Sequence, residues 1–301
     1  MKVLVCDKTE KECIEQMRAA GLTVDTHFEI TPEELMTVAP AYDVLVVRSR
    51  TKVRQPLIDA CPNLKLIVRG GVGLDTIDVE YARAKGIEVR NTPLASSDSV
   101  AELAIGYMFM LARSLYKASE TMKAEKWEKK AFEGDEIGGK TLGLIGVGNI
   151  GKATAKRAVA LGMNVLAYDP YVTAFEYGQL VSLDELLAQA DYISLHLPKT
   201  KESANMLGAE QFAKMKTGVR IVNCARGGII NEQALYEALV SGKVAAAALD
   251  VFAEEPPSDW KLVKLDNVIA SPHIGAATKE AQGRVGAEVA QIVIEFAQRK
   301  A

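Results

Sequence analysis

The chain has 301 residues, 49% hydrophobic and 25% charged, an ordinary globular composition with room for two domains of usual size. Basic residues number 36 against 39 acidic ones, so the net charge of −3 gives no global drive toward nucleic acid or a membrane surface, and any cationic site must be local. The longest apolar stretch, VAELAIGYMFMLA at residues 100–112, contains Glu102 and falls short of the ~18 residues a spanning helix needs.

The N-terminal MKVLVCDKTEK has too short an apolar run for a signal peptide and reads as a first strand. KVLVCD, TVDTHF, DVLVVR, KLIVR and IEVR are strand candidates, separated by helix-like stretches such as TEKECIEQMRAAG and DVEYARAKG that close on a glycine. Apolar strands alternating with helices predict a parallel sheet covered on both faces. NTPLASSDS breaks the pattern, and a long helix is expected from about Ser99 to Glu125, running into KAEKWEKK. After the turn segment EGDEIGGK a second alternation supplies TLGLIG, NVLAYD, YISLHL, RIVNCA, VAAAALD and NVIAS, and the tail from TKEAQ onward is an amphipathic helix. Two alternations predict two α/β domains joined near residue 95. The four cysteines, at 6, 13, 61 and 224, have no metal-like spacing, no metal site is expected, and a reducing cytoplasmic compartment fits best.

Gly146-x-Gly148-x-x-Gly151 follows the strand TLGLIG and opens a helix, the context in which such a motif carries meaning. The first glycine permits a tight turn, the second lets backbone approach a pyrophosphate, and the third lets helix pack on strand. The helix N-terminus adds unpaired N–H groups for the phosphates. The next strand ends in Asp169, whose carboxylate can accept from ribose hydroxyls and would repel a 2′-phosphate, so NAD is expected over NADP.

Three later strand ends carry polar residues: Arg226 after RIVNCA, Asp250 with Glu254 and Glu255 after VAAAALD, and His273 in SPHIG. Ligands of open parallel sheets bind beyond the carboxyl ends of strands. Histidine suits removal of a hydroxyl proton during hydride transfer, a glutamate can hold its imidazole, and an arginine can bind a substrate carboxylate through two hydrogen bonds. Taken singly, each has a bland alternative: a solvated loop histidine, a surface arginine, a solvated glutamate before a proline.

GVGNIG, NCARGG, LDVFAEEP and SPHIGAAT, in that order and spacing, resemble the NAD-dependent D-2-hydroxyacid dehydrogenases over essentially the whole chain. VVRSRTKV, KWEKK and PHIGAATKEAQ are most like the branch that acts on 3-phosphoglycerate at the start of serine biosynthesis. The resemblance implies Arg226, Glu255 and His273 as the catalytic set. It also implies an NAD site lined by Gly146, Gly148, Asn149, Ile150, Gly151, Asp169, Leu197, Cys224, Ala225, Arg226, Asp250, His273 and Gly275. It implies α/β architecture with two doubly wound parallel-sheet domains: a flavodoxin-like substrate domain, 1–95 plus 277–301, and a Rossmann-like NAD-binding domain, 96–276. The long helix would build a homodimer, with Trp127 either a dimer contact or core.

In the first domain, Arg48, Arg50 and Lys52 follow one strand and Arg69 ends the next, before GGVG. Arg48 and Arg69 are expected to clamp a phosphate while backbone N–H groups around Gly71, Val72 and Gly73 hold a carboxylate. For Arg50 and Lys52 a phosphate contact and a solvated rim are even. The expected partner is thus a small phosphorylated 2-hydroxy acid. Lys129 stands where the resembled branch often has an arginine, and serine feedback through a C-terminal regulatory domain is not expected of a chain ending at Ala301. A glyoxylate or hydroxypyruvate reductase and a nucleotide-sensing corepressor stay open as other readings. His27 is expected to be structural, and His196 to act by its backbone or packing beside the nucleotide loop.

Overall fold

A computed structural model describes residues 1–299. In chain order the elements are β1 (Lys2–Val5), α1 (Lys11–Ala19), β2 (Thr23–Thr26), α2 (Pro32–Val38), β3 (Val44–Val47), α3 (Gln55–Ala60), β4 (Leu66–Arg69), α4 (Val79–Ala84) and β5 (Glu88–Asn91). They continue with α5 (Ser97–Arg113), α6 (Leu115–Lys123), β6 (Thr141–Ile145), α7 (Asn149–Ala160), β7 (Asn164–Tyr168), β8 (Gln179–Leu180), α8 (Leu183–Gln189) and β9 (Tyr192–Leu195). The last are α9 (Ala209–Lys214), β10 (Val219–Asn223), α10 (Glu232–Val240), β11 (Val244–Leu249), β12 (Val268–Ala270) and α11 (Lys279–Arg299). Side chains of Thr31, Ser182 and Asn231 accept backbone amide protons to cap α2, α8 and α10.

The chain divides into two compact units, Met1–Ser96 with the residues from Ala276 onward, and Ser97–Gly275. The last two positions of the segment 277–301 lie outside the described residues. Unit 1 has a five-stranded sheet in the order β2-β1-β3-β4-β5, every pair parallel. One face packs on α1 and α11 through Met17, Val289, Val293 and Phe296. The other packs under α2, α3 and α4 through Leu35, Leu57, Ile58 and Ala82. Because both faces are covered, β3 is buried at every residue, which is why its sequence runs VLVV instead of alternating.

Unit 2 has a seven-stranded, all-parallel sheet in the order β12-β11-β10-β9-β6-β7-β8. The helices α5 and α7 cover one face around Met108, Leu142, Leu144 and Ala155, and α8, α9 and α10 cover the other around Leu186, Ile221 and Leu235. Strand order reverses between β6 and β9, and that switch point is where open α/β sheets take ligands.

One expectation needs correction. The helix expected from Ser99 to Glu125 is two helices, broken at Ser114, whose φ of 47° is left-handed. The cause lies far along the chain. The Asp135 amide donates to the Ala112 carbonyl at 3.0 Å, taking the acceptor that a continuous helix would offer to the Tyr116 amide. No local sequence signal marks that intrusion.

Candidate active site

The glycine loop leaves β6 at the switch point of unit 2. Gly146 has φ of +93°, and a Cβ there would lie 2.5 Å from the His196 carbonyl oxygen. A Cβ on Gly151 would lie 2.3 Å from the Gly146 carbonyl oxygen. Gly148 differs: it caps α7, it is exposed, and nothing lies within 4 Å of where its Cβ would be. The fold uses the outer two glycines, while the middle one opens space beside the first-turn N–H groups of α7. Asn149 and Ile150 begin that helix.

Asp169 follows β7 and is pinned beside the loop, with Oδ2 accepting from the Val147 amide and Oδ1 from the Tyr171 amide, each at 3.0 Å. Each oxygen keeps lone-pair capacity for a ribose hydroxyl. An open anion cradle followed by a fixed carboxylate fits a dinucleotide. His196 follows β9 next to this loop, and half-buried Leu197 comes after it. The imidazole of His196 is buried, its Nε2 lies 2.9 Å from Ser194 Oγ, and burial drives its pKa down to about 3. It is a neutral packing group, and its carbonyl, facing Gly146, shapes the loop. Cys224 is buried too, and burial followed by the nearby Asp250 charge holds its thiol protonated, so it is no reactive thiolate.

The loops after β10, β11 and β12 carry Arg226, Glu255 and His273. His273 Nδ1 sits 2.7 Å from Glu255 Oε2, both side chains partly open to solvent. Glu255 Oε1 accepts the Phe252 amide at 3.1 Å. Burial raises the Glu255 pKa, but the His273 hydrogen bond, the Phe252 amide and the charges of His273 and Arg226 outweigh it, so the net shift is downward. An ionised carboxylate only accepts, so Nδ1 carries the proton and a neutral imidazole presents Nε2 as a bare base.

Arg226 is held by its own loop: its Nη1 donates to the Ala225 carbonyl at 2.7 Å, and Asn223 Nδ2 donates to the Arg226 carbonyl at 3.1 Å. A Cβ on Gly227 would fall 1.7 Å from the Phe252 carbonyl oxygen, so the Arg226 loop and the Glu255 loop are in backbone contact. Asp250, 1% exposed, organises the His273 loop: it accepts the Ile274 and Gly275 amides at 2.8 Å each, and its carbonyl accepts the His273 amide at 2.9 Å.

In unit 1, Arg48 and Arg69 stand after β3 and at the end of β4. Arg48 Nη1 reaches the Lys8 carbonyl at 3.4 Å, and burial lowers its pKa against the opposing charges of Asp7 and Glu10. Arg69 Nη2 donates to Ser49 Oγ at 3.1 Å, and its guanidinium lies over Gly71, where a Cβ would fall 1.8 Å from Nη1. The Asn91 side chain donates to the Val72 carbonyl, which ties the turn carrying Val72 and Gly73 to the end of β5. Arg50 is half exposed but tied down at its guanidinium. Its guanidinium donates to Asp7 Oδ1 and to the carbonyls of Cys6, Phe28 and Ile30. Buried Asp7 in turn accepts the Arg48 amide at 2.5 Å and both donors of Thr51. Sequence reading missed Asp7 as the anchor of the arginine loop; an acid directly after the first strand was the available signal.

The family description D-isomer specific 2-hydroxyacid dehydrogenase, NAD binding domain, matches residues 105–275. The chain is 51% identical over 298 residues to the hydroxypyruvate reductase of Thermotoga maritima, covering 98% of this chain and 97% of that protein. It is 50% identical over 302 residues to the D-3-phosphoglycerate dehydrogenase of Archaeoglobus fulgidus, covering 99% of this chain but spanning only 57% of that protein. A solved D-lactate dehydrogenase from Aquifex aeolicus, complexed with NAD and lactic acid, matches with a TM-score of 0.88 at 31% identity, over 99% of this chain and 96% of that one. The chain therefore belongs to the D-isomer specific 2-hydroxyacid dehydrogenases. It is an NAD-dependent oxidoreductase, and NAD is its cofactor.

Proposed function

We propose that this chain catalyses the reversible oxidation of D-3-phosphoglycerate to 3-phosphohydroxypyruvate, the first step of serine biosynthesis. The observation that carries the acid–base part is the 2.7 Å contact of His273 Nδ1 with Glu255. NAD, when bound, supplies the hydride acceptor. As the substrate carbon loses hydride, His273 Nε2 takes the hydroxyl proton, the carbonyl forms, and Glu255 stabilises the resulting imidazolium. In reduction the imidazolium returns the proton to the oxygen. Arg226 binds the substrate carboxylate and polarises the reacting oxygen. The NAD-lining role extends to Asn149, Ile150, Leu197, Cys224, Ala225, Asp250 and Gly275.

Support for a phosphorylated substrate comes from Arg48 and Arg69 of unit 1, which we assign to the phosphate, with backbone amides of Gly71, Val72 and Gly73 on the carboxylate. The resemblance to the Thermotoga hydroxypyruvate reductase along nearly its full length favours a second reading, reduction of unphosphorylated hydroxypyruvate. Initial rates with NAD and 3-phosphoglycerate, an acceptor removing the keto product, and with NADH and hydroxypyruvate decide between them. Arg69→Ala should raise KM for the phosphorylated substrate by roughly 10- to 100-fold, the weight of a charged hydrogen-bonding group, and leave that for D-glycerate nearly unchanged. Equal effects on both would remove the phosphate assignment.

We further propose a homodimer built on α5 and α6. Phe109, Leu115 and Met122 are exposed on these helices, and Trp127 beyond them is 80% exposed, so it is not core in the single chain. Among the described residues no helix is long and apolar enough to cross a membrane. The four cysteines are free, which supports a reducing cytoplasmic setting.

A further inference from the structure

Three consecutive backbone amides of the loop after β12 donate to Asp250, the first of them shared with the Ser271 carbonyl at 3.0 Å. The His273 amide donates to the Asp250 carbonyl, the Ile274 amide to Oδ1 and the Gly275 amide to Oδ2. These bonds hold His273 at a φ of 53°, a left-handed conformation that disfavours any non-glycine residue. The carboxylate has one more partner, the hydroxyl of Ser271, which donates to Oδ1. Ser271 Oγ in turn contacts the phenol oxygen of Tyr107.

Proton counting fixes the direction of this chain. A carboxylate accepts only, so the single Ser271 hydroxyl proton goes to Asp250. The phenol must then be the donor to Ser271. Tyr107 is 4% exposed, at the centre of α5, among Cys224, Ala248 and Ile269. Burial pushes its pKa up to about 12, above the opposing effect of the Ser271 hydrogen bond, so the proton to donate is present at working pH. Val100, two turns earlier on α5, packs where a Cβ on Gly275 would lie 3.4 Å from its Cγ2.

We propose that Tyr107 and Ser271 are positioning residues: a one-way hydrogen-bond chain from α5 through Ser271 sets the Asp250 carboxylate, and that carboxylate sets the backbone that aims His273. Neither residue reaches the reacting atoms. Without the hydroxyls, Asp250 keeps only its two backbone donors and can rock about its side-chain torsion, taking the Ile274 and Gly275 amides with it. The inference rests on the reading of His273 as the proton-transfer group.

The test uses Tyr107→Phe, Ser271→Ala, their combination, and Ser271→Thr, which keeps a hydroxyl. Amide hydrogen exchange of the 271–276 segment in the NAD-free protein is the readout independent of turnover. Tyr107→Phe should speed exchange at Ile274 and Gly275 by roughly fivefold, the factor matching one lost neutral hydrogen bond, and Ser271→Ala, which loses a bond to the carboxylate, by at least as much. Exchange in β6 and β9 should be unchanged. Both should lower kcat by a similar factor with KM within about twofold, because aim and not binding is lost. The double variant should be no worse than Ser271→Ala, since links in series do not add, and Ser271→Thr should recover wild-type exchange and kcat. Unchanged exchange at 274 and 275, a loss of protection spread through the unit 2 sheet, or additive effects in the double variant would each overturn the proposal. A wild-type protein that turns over no 2-hydroxy acid, with the exchange pattern as expected, would instead remove the catalytic reading of His273 and leave the chain of bonds standing.

Discussion

Replacing Gly148 by alanine separates what the glycine loop does for the fold from what it does for the cofactor. Gly148 has φ of −66°, which alanine adopts freely, and a Cβ there meets nothing within 4 Å. As an N-cap, alanine is poorer than glycine by up to about 1 kcal/mol, while the reduced freedom of the unfolded chain returns ~0.4–1 kcal/mol. Urea unfolding of Gly148→Ala without cofactor should therefore lie within about 1 kcal/mol of wild type. NADH affinity, followed by fluorescence titration, should fall at least tenfold, about 1.4 kcal/mol, because the methyl takes the space that lets backbone approach the pyrophosphate. Gly151→Ala should behave oppositely. Its Cβ would sit 2.3 Å from the Gly146 carbonyl oxygen, a backbone atom that cannot step aside, so the fold itself should lose at least the ~1–3 kcal/mol of an overpacked core. A folded Gly148→Ala that binds NADH as tightly as wild type would refute the placing of the phosphates at this loop.

Three further expectations concern the His273–Glu255 pair and the buried histidine. Glu255→Gln should lower kcat by ~100-fold or more while NADH affinity stays put, since the amide cannot neutralise an imidazolium at His273; steady-state rates and a binding titration check this together. His273→Asn should cost at least as much, and turnover near wild type would remove it from the mechanism. His196, with a folded pKa of about 3 against 6.5 when unfolded, makes the unfolded state the better proton binder below pH 6.5, so stability falls with pH from there toward 3. Between pH 7 and pH 5 this amounts to about 2 kcal/mol, a figure that barely depends on the folded value so long as it stays well below 5. Urea titrations of wild type and His196→Asn at both pH values should differ by that much, and parallel curves would show the imidazole to be hydrated.

Burial explains which features could be read from the linear chain. A strand covered on both faces must be apolar along its buried length, so LIV of β4 and VLVV announce themselves, and a parallel sheet needs a helix between strands, so the alternation gives the architecture. The glycine loop is legible for the same local reason: turn, cap and close approach all lie within a few residues. His273 was singled out by its setting between a proline and a glycine after a strand.

Other features depend on partners far apart in sequence. Arg50 looks like Arg48 in the motif RSR, and only the approach of Asp7 and the Phe28 and Ile30 carbonyls ties its guanidinium back onto the protein. The break at Ser114 is imposed by Asp135, and the link from Tyr107 to Ser271 spans half the chain.

The sequence by itself determined the class of fold, the glycine loop with its acid, and the strand ends that carry Arg226, Glu255 and His273, because each is encoded by short-range pattern. The tertiary structure decided which charged groups are tied to the protein's own backbone, which histidine is locked neutral, and that His273 takes a left-handed backbone against Asp250. Those outcomes turn on desolvation and on hydrogen-bond partners that only folding brings within 3 Å of one another.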